Sequence, residues 1–96
     1  MDLPEEFEWD EGNNLKNWKN HHVATKECEE VFLNLPIILY QDIKHSVREA
    51  RFIALGKTNN SRRLHIVFTI REMNVRVISA RDQNKKERSR YEKEKN

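Results

Sequence analysis

Arg63-Leu64-His65-Ile66-Val67-Phe68-Thr69-Ile70-Arg71, then Glu72-Met73-Asn74, then Val75-Arg76-Val77-Ile78-Ser79-Ala80, is the stretch on which the fold turns. Leu64, Ile66, Phe68 and Ile70 recur at period two, the spacing at which a strand sends alternate side chains to one face. Glu72 to Asn74 is short and polar, and β-branched residues resume after it. The stretch predicts a strand over 63–71, a hairpin turn at 72–74 and a partner strand over 75–80. One face of the hairpin needs apolar cover. The other presents His65, Thr69 and Arg71.

Upstream, residues 49–55 read as a strand ended by Gly56, and Lys57-Thr58-Asn59-Asn60-Ser61 is built of turn formers. Short connections make Glu49 to Ala80 a meander. Ile37 to Tyr40 reads as a further strand, and Gln41 to Val47 as a polar loop. Before Pro36 lies a short helix with Thr25 as its cap and Cys28, Val31 and Phe32 on one face. Thr25 predicts no capping box, because residue 28 is not Glu or Gln. An earlier helix starts after Asp10 and carries Leu15, Trp18 and His22 as a narrow apolar stripe. Phe7-Glu8-Trp9 alternates as an edge strand does.

Downstream, Asp82 is placed to cap a polar helix and to pair with Lys86 at i, i+4, worth about 0.2–0.5 kcal/mol. Tyr91 is the only large apolar group there, so the helix is expected to fray. The predicted order is β-α-α-β-β-β-β-α. This is an α+β fold in a single domain over residues 1–96, with two N-terminal helices packed on an antiparallel sheet and a C-terminal helix.

Composition narrows the function classes. Charged residues make up 35% of the 96, against roughly 25% in a typical globular chain, so the core is small. Residues 1–30 hold nine acids and three lysines, a balance of −6; residues 31–96 hold seven acids and fifteen Lys or Arg, a balance of +8. The modest net charge of +2 hides an acidic front and a basic back, which suits a densely anionic partner. The apolar run Leu35 to Tyr40 is far short of the ~20 residues that span a bilayer. The acidic start, Met1-Asp2-Leu3-Pro4-Glu5-Glu6, does not read as a secretory signal. One cysteine, Cys28, fits a reducing compartment. A cytoplasmic protein with no membrane partner is expected.

The polar sheet face is the candidate working surface. Arg51 and Glu49 share one parity, Ser79 and Arg81 share another, and Arg76 falls opposite Arg81 in a regular strand. Arginine grips phosphate oxygens through two parallel N–H bonds, and a nearby Ser or His adds a donor. A solvated face of an α+β sheet has the same composition, so the pattern alone leaves both readings open. Adjacent His21 and His22 point about 100° apart on a helix, and Cys28 has no Cys-x₂-Cys partner. No metal and no cofactor is expected, and Cys28 reads as a core residue. Lys85-Lys86-Glu87-Arg88-Ser89-Arg90 is either a solvated helix face or an arm along a nucleic-acid backbone.

Phe7-Glu8-Trp9-Asp10, Asn17 with His21, Glu49-x-Arg51 before Gly56, and Arg76-Val77-Ile78-Ser79-Ala80-Arg81 followed by Lys86-Glu87-Arg88 and Tyr91 together resemble the BrnT family of toxins. The similarity runs from about Phe7 to Glu92. The resemblance implies a RelE-like fold and a ribonuclease toxin of a type II toxin–antitoxin module. It also implies a BrnA-like antitoxin that neutralises the toxin and represses the operon through its own DNA-binding part. The sequence departs from the family pattern at Asn13, where a lysine is usual, and at Asn20-His21-His22, where a Lys-His-Gly turn is usual.

Cleavage would then proceed without metal, by attack of the RNA 2′-hydroxyl on the adjacent phosphorus. The expected catalytic set is Arg81 and Arg51 as phosphate stabilisers, Ser79 as a positioning donor, and Glu49 or His21 as proton carriers. Arg76, Lys85, Lys86 and Arg88 are expected RNA contacts. The competing expectation is a weak or inactive homologue that only binds antitoxin or nucleic acid.

Overall fold

The computed structural model describes residues 6–9 and 11–94, with backbone alone at 11 and 13–15. The elements are β1 (Glu6–Glu8), α1 (Glu11–His21), α2 (Thr25–Leu33), β2 (Ile38–Gln41), a 3-10 turn (Ile43–His45), β3 (Phe52–Lys57), β4 (Arg63–Arg71), β5 (Asn74–Asp82) and α3 (Lys85–Glu94). They form a mixed α+β architecture in the predicted order. The sheet runs β1-β5-β4-β3-β2. β2 to β5 pair antiparallel as a meander, but β1 joins β5 in parallel, with Phe7 opposite Val75. The sheet is therefore mixed at that edge rather than wholly antiparallel. No hairpin links β1 to β5, so no short turn dictates their direction. The β4–β5 turn needs only Glu72 and Met73, both at positive φ (49° and 72°), the geometry of the twisted two-residue hairpin loop.

One sheet face is apolar. Ala54, Leu64, Ile66, Phe68, Val77 and Ala80 are fully buried there, with Cys28 and Val31 of α2 over them. Phe32 meets Phe7 at 5.2 Å and Phe68 at 5.1 Å, both edge-on, and so joins α2 to β1 and β4. Aromatic pairs of this kind add about 0.5–1.5 kcal/mol each beyond their buried area. Burial pushes the Cys28 thiol up to about 12, so it is an inert core group.

α2 begins one residue before the position expected. Its N-cap is Ala24, whose N–H donates to Glu27 Oε1 at 3.0 Å. The acidic half of a capping box therefore forms without a capping hydroxyl. β3 does not stop at Gly56 but runs through it to Lys57. A Cβ at Gly56 would lie 2.7 Å from Val31 Cγ1, so the missing side chain lets α2 close on the sheet.

α1 does not use the stripe foreseen for it. Trp18 is 54% exposed and stacks edge-on against His22. The buried contact is Asn17, whose Oδ1 accepts the Ala80 N–H at 3.2 Å. α1 thus covers the edge of β5 that the short β1 leaves open. The side chain of Leu15 and the expected cap Asp10 lie outside the described residues. His22 sits at φ 53°, the left-handed region glycine prefers, where the family pattern quoted above has a glycine.

Arg62 ties the helices to the sheet. Its guanidinium donates to the carbonyls of His21 and His22 and to Glu27 and Asp82. Asp82 is therefore a strand residue held by Arg62 at 2.7 Å, and it neither caps α3 nor pairs with Lys86 on a helix. The cap of α3 is Asn84: its Oδ1 accepts the Glu87 N–H at 2.8 Å, and Glu87 Oε1 accepts the Asn84 N–H at 2.9 Å. α3 is docked rather than loose. Tyr91 is buried and donates to the Pro36 carbonyl at 2.7 Å, and Arg90 lies 4.1 Å over the Tyr40 ring. Among the described residues no helix is long and apolar enough to cross a membrane.

Candidate active site

The second sheet face carries the polar chemistry, and a β-bulge decides which residues share it. Val67 pairs with Ser79, but Phe68 pairs with Val77, so Ile78 is the extra residue of β5. The bulge reverses parity along β5. Arg76, opposite Thr69, therefore falls on the same face as Ser79 and Arg81. Regular alternation would have sent Arg76 to the core side.

On this face Lys16, Asp42, His45, Arg51, Ile53, His65, Val67, Ile78, Ser79 and Arg81 line a concavity of about 380 Å³. Three expected site residues, Arg51, Ser79 and Arg81, are thus brought together. Lys16 and His45, which sequence reading did not select, join them, as does His65, which it placed on this face without a role. β4 and β5 supply His65 and Arg81 as direct cross-strand partners. α1 supplies Lys16 from the covered edge of β5. The 42–51 loop supplies Asp42, His45 and Arg51.

That loop is held closed by its own hydrogen bonds. The Asp42 N–H donates to the Arg51 carbonyl at 2.8 Å, and the Arg51 N–H donates to Ser46 Oγ at 3.0 Å. Ser46 Oγ in turn donates to the Asp42 carbonyl, and Thr69 Oγ1 of β4 donates to the Ala50 carbonyl at 2.9 Å. Arg51 precedes β3, so the strand expected over 49–55 begins three residues later, at Phe52. Among the described residues no acid pairs with the Arg51 side chain.

The two imidazoles sit in opposite environments. His45 is exposed, with Nδ1 2.9 Å from Asp42 Oδ2. With Nδ1–H donated to the carboxylate, Nε2 keeps its lone pair and can take a proton. His65 is buried on the floor, with Nε2 3.4 Å from Glu87 Oε2. Burial, helped by the Arg81 charge, holds its pKa below the ordinary value, so His65 is neutral at pH 7.

Glu87 organises the floor. Arg81 donates through Nη1 to Glu87 Oε1 at 2.8 Å and through Nη2 to Oε2 at 3.0 Å. Burial pushes the Glu87 carboxyl up, but the bonds from Arg81 and the Asn84 backbone outweigh it, and its pKa falls below the usual carboxylate value. Arg81 is therefore a braced cation with its charge compensated, and Arg51 is an uncompensated one. Sequence reading met Glu87 in a basic helical run and among the residues that carry the family resemblance, but gave it no role, because its partner Arg81 lies in another element.

The remaining expected residues lie elsewhere. Glu49 is 3.4 Å from Arg71 Nε and lines the neighbouring cleft. His21 ends α1, where its carbonyl accepts from Arg62, and it is not among the residues lining the concavity. Arg76 is 3.0 Å from Glu8 of β1. Lys85 and Lys86 are exposed on α3, and Arg88 donates to the Gln83 carbonyl at 2.7 Å; none of these three lines the concavity. Among the described residues no group of three or more His, Cys, Asp or Glu side chains gathers as a metal site would.

Fold and site together define a small α+β protein whose open sheet face gathers imidazoles and guanidinium groups in one concavity, the donors an anion would meet. Residues 9–87 match the family model described as "Ribonuclease toxin, BrnT, of type II toxin-antitoxin system". The match covers most of the chain and every residue of the concavity, and the protein belongs to the BrnT family of type II toxin–antitoxin ribonuclease toxins. Membership implies an antitoxin partner. A search of curated proteins returned no match.

Proposed function

We propose that this toxin cleaves RNA without a metal ion, by transphosphorylation at the concavity, and that a BrnA-like antitoxin neutralises it by covering the same face. The RelE-like arrangement expected from the sequence belongs to this reading. The observation that carries it is the convergence of His45, Arg51, Lys16, Ser79 and Arg81 on one concavity. In the proposed reaction His45 Nε2 takes the proton of the 2′-hydroxyl, with Asp42 stabilising the imidazolium. The 2′-oxygen bonds to phosphorus and the bond to the 5′-oxygen breaks. Arg51, and to a smaller extent Arg81, holds the charge that develops on the phosphoryl oxygens. Ser79 donates to the same group. Lys16 protonates the leaving oxygen. The products are a 2′,3′-cyclic phosphate and a 5′-hydroxyl end.

This assignment moves the proton-carrying role from Glu49 and His21 to His45 and Lys16. The test is to incubate purified protein with RNA in excess chelator and to analyse the ends. Cyclic phosphate ends at an undiminished rate support the reading; 3′-hydroxyl ends or chelator-sensitive cleavage refute it. The antitoxin is expected to be acidic where it meets the arginines, and its affinity to fall as salt rises.

A further inference from the structure

A second cleft adjoins the concavity. It encloses about 620 Å³ and is lined by Lys44, His45, Val47, Arg48, Glu49, Arg51 and Arg71. His45 and Arg51 line both spaces, so the two are continuous through the residues assigned to proton transfer and charge stabilisation. The cleft has four permanent cations and a single carboxylate, and that carboxylate already lies against Arg71. Among the described residues Lys44, Arg48 and Arg51 have no acidic partner. Like charges gathered this closely repel one another in the free protein, and an arriving anion relieves that repulsion.

The cleft is also not purely polar. Val47 lines it at 89% exposure, an apolar surface beside phosphate-sized charges. A nucleotide has both characters, a phosphate and an apolar base face. The bonds that close the 42–51 loop fix the backbone that carries these groups, so little ordering is needed when a ligand binds.

We propose that this cleft holds the nucleotide flanking the scissile bond of a single-stranded RNA, with Lys44 and Arg48 contacting its phosphates and Val47 against its base. The inference rests on the ribonuclease reading of the neighbouring concavity and extends it to the path of the strand. A single strand fits because 2′-hydroxyl attack needs the nucleophile, phosphorus and leaving oxygen in line. A base-paired A-form backbone does not offer that alignment.

The test is binding of a fluorescent eight-nucleotide 2′-O-methyl RNA, which cannot be cleaved by this route, measured against salt concentration. Each phosphate contact on a single strand contributes about 0.7 to the slope of log affinity against log salt. The double variant Lys44→Gln/Arg48→Gln should lower that slope by about 1.4. The double variant Lys26→Gln/Lys93→Gln, which removes the same charge from exposed positions outside the cleft, should leave it unchanged. An equal fall in both variants would mean diffuse attraction to net charge and would overturn the proposal. So would absence of RNA binding by the unaltered protein, or an unchanged RNA slope with weakened antitoxin binding, which would assign the cleft to the acidic protein partner. Binding with the expected slopes but no cleavage of ordinary RNA would sink the ribonuclease mechanism and leave standing the cleft's contacts with a single strand.

Discussion

Two groups of cations, one on the β4–β5–α3 side of the molecule and one on the 42–51 loop, differ in whether their charge is already answered. On the β4–β5–α3 side Arg81 is held by both oxygens of Glu87, and Arg62, outside the concavity, is held by Asp82 and Glu27. On the 42–51 loop side Lys44, Arg48 and Arg51 have no such partner among the described residues. A cation fixed by two hydrogen bonds to a carboxylate positions elements of the fold. A cation without an acid keeps its donors for a substrate. The sequence marks Arg51 and Arg81 alike as phosphate stabilisers and singles out none of Lys44, Arg48 and Arg62; only the three-dimensional pairing separates the two groups.

The comparison breaks most visibly through His45. His45→Ala should lower cleavage by about 10²–10⁴-fold, the usual share of a general base, while the melting temperature stays close to that of the unaltered protein. Full activity in this variant would return the proton-carrying role to Glu49 or His21.

Gly56→Ala should act on the fold alone. The new Cβ meets Val31 Cγ1, a stiff β-branched group, and overpacking of this kind costs about 1–3 kcal/mol. Adding Val31→Ala should recover part of the loss in denaturant titrations. An unaltered midpoint for the single variant would mean that α2 can retreat from the sheet.

Acid should loosen the paired side first. Hydrogen bonding from Arg62 holds the Asp82 pKa below 3.8, and Glu87 lies below 4.5. Groups with lowered folded pKa values bind protons more readily in the unfolded chain, so their stabilisation is present above those values and is lost as pH falls through them. His65, buried neutral below its ordinary 6.5, adds an earlier loss with the same sign. Thermal unfolding should therefore weaken gradually from about pH 6.5 and steeply below about pH 4.5. Stability that is flat down to pH 3 would contradict the pairing.

The sheet was legible because its apolar positions obey a strict period. Leu64, Ile66, Phe68 and Ile70 set the hairpin, and the short connections set the meander. The parallel partner of β5 was not legible, since no turn connects it. The site was half legible. Arg51, Ser79 and Arg81 stood out as phosphate-binding types next to strands. His45 lay in a polar loop with no periodic pattern, and its link to Asp42 depends on a closed loop. The parity of Arg76 depended on the bulge at Ile78, which no residue type announces. The role of α3 was hidden because one tyrosine, Tyr91, and one cap, Asn84 with Glu87, are enough to dock an otherwise polar helix.

The most direct test sets Arg51→Ala beside Arg81→Ala, with cleavage rate and melting temperature measured on each. Arg51→Ala should lose about 10²–10³-fold in rate, as removal of one charge-stabilising donor does, and keep its melting temperature. Arg81→Ala should lose melting temperature first, because Glu87 is left without its partner, and should lose less in rate. The reverse pattern, an Arg51→Ala protein that cleaves normally and an Arg81→Ala protein that is stable but inactive, would contradict the division between paired and unpaired cations.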